Sequence, residues 1–174
     1  MNQQHEYIGT RKLLIGIVLA VITFWLFANS LINVIPNLQT SFGSYLSTIS
    51  IAVSLTALFC GMFVVGAGSL ADYFGRVRLT IIGLWLNIFG SLLIIVSDYI
   101  PLLLMGRAIQ GLSAALIMPA TLSLIKAYYH GDKRQRALSL WSIGSWGGSG
   151  FASLFGGMIA TFLSLSLIHI SEPT

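Results

Sequence analysis

The stretch Gly68-Ser69-Leu70-Ala71-Asp72-Tyr73-Phe74-Gly75-Arg76-Val77-Arg78 is a short charged break between two long apolar runs. Gly68 allows close approach of neighbouring backbone, and Gly75 can adopt the positive φ of a helix end. Asp72 follows a long apolar run, where the dipole of a helix would disfavour a carboxylate, so Arg76 or Arg78 is expected to compensate it. The residues alone fit two interpretations: a breakable electrostatic latch, or a tight turn that fixes membrane topology.

The composition predicts an integral membrane protein. Of the 174 residues, 56% are hydrophobic and 8% are charged, against about 25% charged residues in a typical soluble domain. The net charge of +4 does not indicate nucleic-acid binding, because the basic residues lie at the ends of apolar runs. We find no phosphate-binding glycine loop, metal-ligand cluster or catalytic triad, so neither an enzyme nor a bound cofactor or metal is expected.

Five apolar runs predict an all-α membrane fold with spans at about 13–35, 46–70, 79–96, 102–125 and 137–163. The first run stops at Pro36, and 37–45 is expected to be a short polar loop. A run of this length is roughly 34 Å long as a helix, enough to cross a hydrocarbon core of ~30 Å. Helices are expected because transmembrane strands would be shorter and would alternate in polarity.

The basic residues predict the orientation. The segments 1–12, 71–78 and 126–136 hold eight of the nine lysines and arginines, and the loops on the opposite side hold none. Basic loops stay on the cytoplasmic side. We therefore expect a multi-pass protein of the cell membrane with a cytoplasmic N-terminus at 1–12.

Arg107 is the ninth basic residue, and it lies inside the fourth predicted span with Gln110 on the same helix face. A charge there costs ~2.5–3.5 kcal/mol on insertion scales, which makes it a functional hypothesis. The alternative is an arginine that reaches the interface, because Pro101 is only about 9 Å away. No Asp or Glu lies in any apolar run, and Asn29 and Asn33 of the first span are polar but cannot carry a proton. Four aromatic residues could line a cavity but more simply face lipid or other helices: Phe24, Trp25, Phe27 and Trp85.

The stretch 68–78 resembles the signature loop between spans 2 and 3 of the major facilitator superfamily, roughly G-x-L-A-D-x-x-G-R-[KR]. In that family the loop's aspartate and arginine form a latch that stabilises the outward-facing state. The resemblance implies this gating role for Asp72, Arg76 and Arg78, with Gly68 and Gly75 as the loop glycines.

The segment that starts at Arg107 resembles the span-4 motif of the same family, R-x-x-Q-G-x-x-A-A, continued by Pro119. The resemblance implies that Arg107 faces a cavity and takes part in proton coupling. The family's multidrug members often carry an acid about nine residues before the proline that ends span 1. That position is Phe27 here, so a protonatable carboxylate is expected elsewhere, unless coupling differs.

The fifth span is rich in glycine, including Gly144, Gly148, Gly156 and Gly157. Small residues let membrane helices pack closely, which is one interpretation. The stretch also resembles the family's antiporter motif in span 5, but Ala152-Ser153 replaces its glycine–proline pair. That difference removes the expected kink and weakens the antiport interpretation.

The branch with the best resemblance is the bacterial drug:proton antiporters with fourteen spans. It implies two six-helix bundles, protons and a small amphipathic or cationic compound as partners, and export by alternating access. The alternatives are transport of a metabolite and a non-transporting membrane scaffold. Five spans cannot complete one bundle, so we expect an N-terminal fragment that lacks the C-terminal half and does not transport by itself. The last residues, 165–174 (LSLIHISEPT), resemble translated sequencing adapter and are expected to be non-native.

Overall fold

The computed structural model describes the backbone of residues 9–42, 46–97 and 99–170, with side chains at 9–28, 50–97, 99–154 and 158. It is an all-helical structure, and the described chain forms five helices. In chain order they are α1 (Arg11–Phe42), α2 (Leu46–Phe74), α3 (Arg76–Ile95), α4 (Ile100–Tyr128) and α5 (Gly131–Ile170).

Four helices are long and apolar enough to cross a membrane within the described residues, at Arg11–Ala28, Ser50–Phe74, Arg76–Ile95 and Ile100–Tyr128. The fifth predicted span, 137–163, lies inside α5, but most side chains beyond residue 154 fall outside the described set. Apolar side chains cover the outside of the bundle: Val65 is 80% exposed and Trp85 is 67% exposed. An apolar exterior is what a lipid-facing surface requires.

Helix α4 is the centre of the bundle. In its apolar stretch 61% of the residues are buried, against 17% in that of α2. Helices α2 and α3 pack against α4, whereas α1 packs mainly against α5. Glycines set the closest approaches: a Cβ on Gly90 would lie 2.9 Å from the Gly106 carbonyl oxygen, and one on Gly111 would lie 2.5 Å from that of Thr56. Such small residues let membrane helices approach backbone to backbone.

The connections are shorter than the sequence predicted. The loop expected at 37–45 is helical as far as Phe42, because α1 continues through Pro36. Proline is tolerated in membrane helices, where neighbouring groups satisfy the freed carbonyl. The polar segment 126–136 is mostly helical, so only Tyr129 and His130 separate α4 from α5. At the other break, Gly75 alone separates α2 from α3.

Gly9 and Thr10, which precede α1, are hydrogen-bonded to residues at the α4–α5 connection. The Gly9 amide donates to the Tyr128 carbonyl at 2.7 Å, and the Tyr129 hydroxyl donates to the Thr10 carbonyl at 2.7 Å. Burial raises the pKa of the Tyr129 hydroxyl, against the opposing effect of a backbone hydrogen bond from Leu14. The phenol therefore stays protonated and keeps donating this bond at neutral pH.

The proposed adapter tail is partly helical. Residues 165–170 continue α5, with side chains outside the described set, and 171–174 lie outside the described residues.

Candidate functional site

Gly75 joins two helices in one residue. Its amide donates to Ala71 at 3.1 Å and so ends α2, while its carbonyl accepts from Leu79 at 3.0 Å and so starts α3. It reaches this geometry with φ at 96°, in the region that favours glycine. The expected positive φ is therefore observed at this position.

The Asp72 carboxylate pairs with Arg76 and not with Arg78. Arg76 Nη2 and Nε donate to Asp72 Oδ1 at 3.0 and 3.2 Å. Each charge opposes the dipole of its own helix but suits the end of the neighbouring helix, because α2 ends where α3 begins. The pair is open to solvent, with 65% of the Asp72 side chain exposed, so it contributes at most ~1 kcal/mol to stability.

Arg76 also connects this turn to the central helix. Its Nη1 donates to the Ser123 carbonyl oxygen of α4 at 3.0 Å. Arg78 is exposed on the same turn. A Cβ on Gly68 would have no atom within 4 Å, so the expected close approach at this glycine is not observed among the described residues. The turn is therefore held by a single arginine that bridges α2, α3 and α4.

Arg107 is buried in the middle of the bundle, with 2% of its surface exposed. Its Nη1 donates to Gln110 Oε1 at 2.7 Å and to the Ala28 carbonyl at 3.2 Å, and its Nε donates to the Ala52 carbonyl at 3.3 Å. The guanidinium thus contacts α1 and α2 from α4. This geometry is incompatible with the alternative in which Arg107 extends to the membrane interface.

Two hydroxyl residues extend this polar cluster, and neither was predicted from the sequence. Gln110 Nε2 donates to Ser91 Oγ of α3 at 3.0 Å, and Thr56 Oγ1 of α2 donates to the Arg107 carbonyl at 3.2 Å. Isolated hydroxyls in an apolar run are common, and most bond within their own helix. Both lie where the helices approach most closely, Ser91 after Gly90 and Thr56 against Gly111, but the closeness of these approaches is seen only in the folded structure.

Arg107 borders two cavities. One, of about 540 Å³, lies between α1, α2 and α4 and is lined by Phe24, Trp25, Thr56 and Met118 among others. The second, of about 260 Å³, lies between α1, α3 and α4 and includes Phe27 and Gln110.

The four aromatic residues singled out from the sequence therefore fall into two groups. Phe24, Trp25 and Phe27 line these cavities, whereas Trp85 is on the outer surface. Lining alone does not distinguish a ligand site from ordinary packing, because Phe24 is also part of a buried apolar cluster with Ala114 and Ile117.

The described glycines of α5 pack against α1. A Cβ on Gly144 would lie 3.2 Å from Val18 Cγ1, and one on Gly148 would lie 3.1 Å from Trp25 Cβ. A Cβ on Gly150 would have no atom within 4 Å. The geometry supports the helix-packing interpretation for Gly144 and Gly148.

Four predicted site residues lie outside the described side chains: Asn29, Asn33, Gly156 and Gly157. Their backbones belong to α1 and α5. Within the described part of the chain, no group of histidine, cysteine and acidic residues could hold a metal ion.

The comparisons with known proteins agree with this helical architecture. A family model described as Major Facilitator Superfamily matches residues 13–170. The "Quinolone resistance protein NorB" of Staphylococcus aureus strains JH9, Newman and COL is 67% identical over 162 residues. That alignment covers 93% of this chain and 35% of each relative, so the chain spans about a third of the length of these relatives. With five helices built around α4 and this match along nearly its whole length, the chain is a multi-pass membrane protein that belongs to the major facilitator superfamily.

Proposed function

We propose that the transporter containing this chain exports small amphipathic drugs, quinolones among them, across a bacterial cell membrane. The observation that carries the proposal is the cavity of about 540 Å³ between α1, α2 and α4, with Phe24 and Trp25 on its wall and Arg107 at its border. Largely apolar cavities with a few polar groups are typical ligand sites. The name of the staphylococcal relatives gives the substrate class.

Alternating access is the proposed mechanism, and the α2–α3 turn is its proposed latch. The Asp72–Arg76 pair is solvent-exposed, so little free energy is needed to break it. Arg76 also donates a hydrogen bond to the Ser123 carbonyl of the central helix. A weak, geometrically defined contact of this kind can form in one conformation and open in another. Gly75 supports the sharp turn, and Arg78 adds positive charge beside it.

The third part of the proposal is that export is coupled to proton movement. Arg107 is positioned by Gln110 and by backbone oxygens of α1 and α2, so its hydrogen bonds must change if these helices move. We propose that Arg107 couples proton movement to that rearrangement and that Gln110 is its positioning residue. Asn29 and Asn33, on the same helix as Ala28, are the further polar residues that we assign to this cavity. The distribution of the basic residues supports a cytoplasmic N-terminus and a cytoplasmic α2–α3 turn.

The experiment is expression of the complete transporter that contains this chain, in a bacterium lacking its own drug exporters. We expect the cells to accumulate less of a fluorescent quinolone than cells with an empty vector, and to lose that difference when an uncoupler collapses the proton gradient. A difference that survives the uncoupler rejects proton coupling. Equal accumulation in both strains, with the protein detected in the membrane, would favour a metabolite transporter or a scaffold.

A further inference from the structure

Arg107 is a buried cation with only neutral partners among the described residues. Its hydrogen bonds go to the Ala28 and Ala52 carbonyls and to the Gln110 amide oxygen. None of the five acidic residues in the sequence lies in a predicted span: Glu6, Asp72, Asp98, Asp132 and Glu172. Of these, Asp72 is paired with Arg76 at the end of the bundle.

Some N–H donors of the Arg107 guanidinium have no acceptor among the described residues. A guanidinium carries five N–H groups, and two of them belong to Nη2. Arg107 uses Nε and Nη1 in its three hydrogen bonds, and Nη2 donates to no described residue. A buried charge is stable in a protein when an opposite charge or enough hydrogen bonds compensate it. Among the described residues, the compensation of the Arg107 charge is incomplete.

The larger cavity offers room for the missing charge. Arg107 lies on its border, and the other lining residues carry no charge: they include Phe24, Trp25 and Met118, with Thr56 and Cys60 as the weakly polar groups. A cationic ligand would meet like charge in this cavity, which is unfavourable where solvent is excluded. An anionic group would pair with the guanidinium in the planar geometry that carboxylates favour.

We propose that this cavity binds an aromatic amphiphile that bears a carboxylate, with the carboxylate on Arg107 and the rings against Phe24 and Trp25. The inference rests on the proposed export function and narrows its substrates from amphipathic or cationic compounds to carboxylate-bearing ones, including zwitterions. The ligand thereby supplies the counter-charge that the described chain lacks.

The test is equilibrium binding of two matched probes, radiolabelled 1-naphthoate and its neutral analogue 1-naphthamide. The membrane protein expressed from the gene encoding this chain is placed in phosphatidylcholine nanodiscs, and partitioning into empty nanodiscs is subtracted. We compare wild type with Arg107→Gln, Arg107→Lys and Arg136→Gln. The last variant makes the same chemical change at an exposed position in the first turns of α5.

We expect wild type to bind naphthoate more tightly than naphthamide. Arg107→Gln should weaken naphthoate binding about 30-fold, the effect of losing one partner of a buried charge pair, and change naphthamide binding less than about threefold. Arg107→Lys should keep part of the preference for naphthoate, and Arg136→Gln should bind both probes as wild type does.

Two results would overturn the inference: no preference for naphthoate in wild type, or equal losses for both probes in Arg107→Gln. Helical content by circular dichroism and elution as a single species show that each variant is folded. Drug accumulation in cells separates this inference from the export proposal. Export of a neutral dye without any carboxylate preference rejects only the inference, whereas an absence of all export rejects the function.

Discussion

At the scale of single residues, the two glycines of the charged stretch make different contributions. Gly75 is the only residue between α2 and α3 and has φ at 96°, a backbone conformation that costs a residue with a Cβ on the order of 1–3 kcal/mol. Gly68 lies inside α2, and a Cβ there would have no atom within 4 Å. Sequence similarity treats both as motif glycines, but only Gly75 has a backbone reason to be one.

Replacing Gly75 by alanine should therefore lower the free energy of unfolding by about 1 kcal/mol or more. The matched change Gly68→Ala should leave stability unchanged or raise it by up to about 1 kcal/mol, because alanine is the better helix former. Thermal unfolding of the two variants in detergent, followed by circular dichroism, measures the difference. Equal midpoints would show that the turn does not depend on the positive φ.

Replacing Asp72 by asparagine tests whether the exposed ion pair contributes to transport or to stability. Because surface pairs contribute at most ~1 kcal/mol, Asp72→Asn should change the unfolding free energy by less than that. If the pair is a latch, quinolone export should nevertheless fall about tenfold. Asp132→Asn is the control, since Asp132 is also an exposed carboxylate but lies in the first turn of α5. Normal export by Asp72→Asn would leave the turn as a topology signal alone.

At the scale of helices, α5 depends on α1 for its packing. Gly144 and Gly148 bring the α5 backbone against Val18 and Trp25, and α1 is the main neighbour of α5. Trp141 adds one bond to the central helix, because its Nε1 donates to Thr121 Oγ1 at 3.1 Å. Gly144 and Gly148 therefore have a packing function, whatever further part they take in transport.

Gly148→Val should destabilise the bundle by about 1–3 kcal/mol, because the new side chain would overlap Trp25 and the backbone of Ile22. Gly150→Val, at a position with open space, controls for the lower helix propensity of valine. The two thermal midpoints in detergent decide the matter. If both variants unfold at the same temperature, α1 and α5 do not make this contact.

Sequence reasoning predicted the helices better than their ends. Long apolar runs are unambiguous because lipid leaves the backbone few alternatives, so the all-helical class was accessible from composition. Helix ends depend on local compensation. Pro36 was misleading because α1 continues through it, and the polar residues 126–136 were misleading because α4 and α5 cover all of them except Tyr129 and His130. Arg107 was found from its charge, but Ser91 and Thr56 were not, because only tertiary packing distinguishes a hydroxyl that contacts another helix from one that bonds within its own.

At the scale of the whole molecule, the charge pattern predicts a topology that can be measured. Lysines and arginines flank the α2–α3 turn and the α4–α5 connection, whereas none lies beside the α3–α4 connection. In a Cys60→Ser background, the Arg134→Cys variant should react with a membrane-impermeant maleimide only in everted vesicles. The Tyr99→Cys variant should react only in intact cells. The opposite pattern would place the N-terminus outside and the proposed latch on the wrong side.

Uptake into everted membrane vesicles measures proton-driven export by the whole transporter. Vesicles that contain the protein encoded by this gene, energised with an imposed proton gradient, should take up a fluorescent quinolone and release it when an uncoupler is added. Arg107→Gln should reduce that uptake at least about tenfold, while Arg136→Gln should leave it intact. Uptake no greater than in vesicles lacking the protein would rule out export, and uptake that the uncoupler does not change would rule out proton coupling.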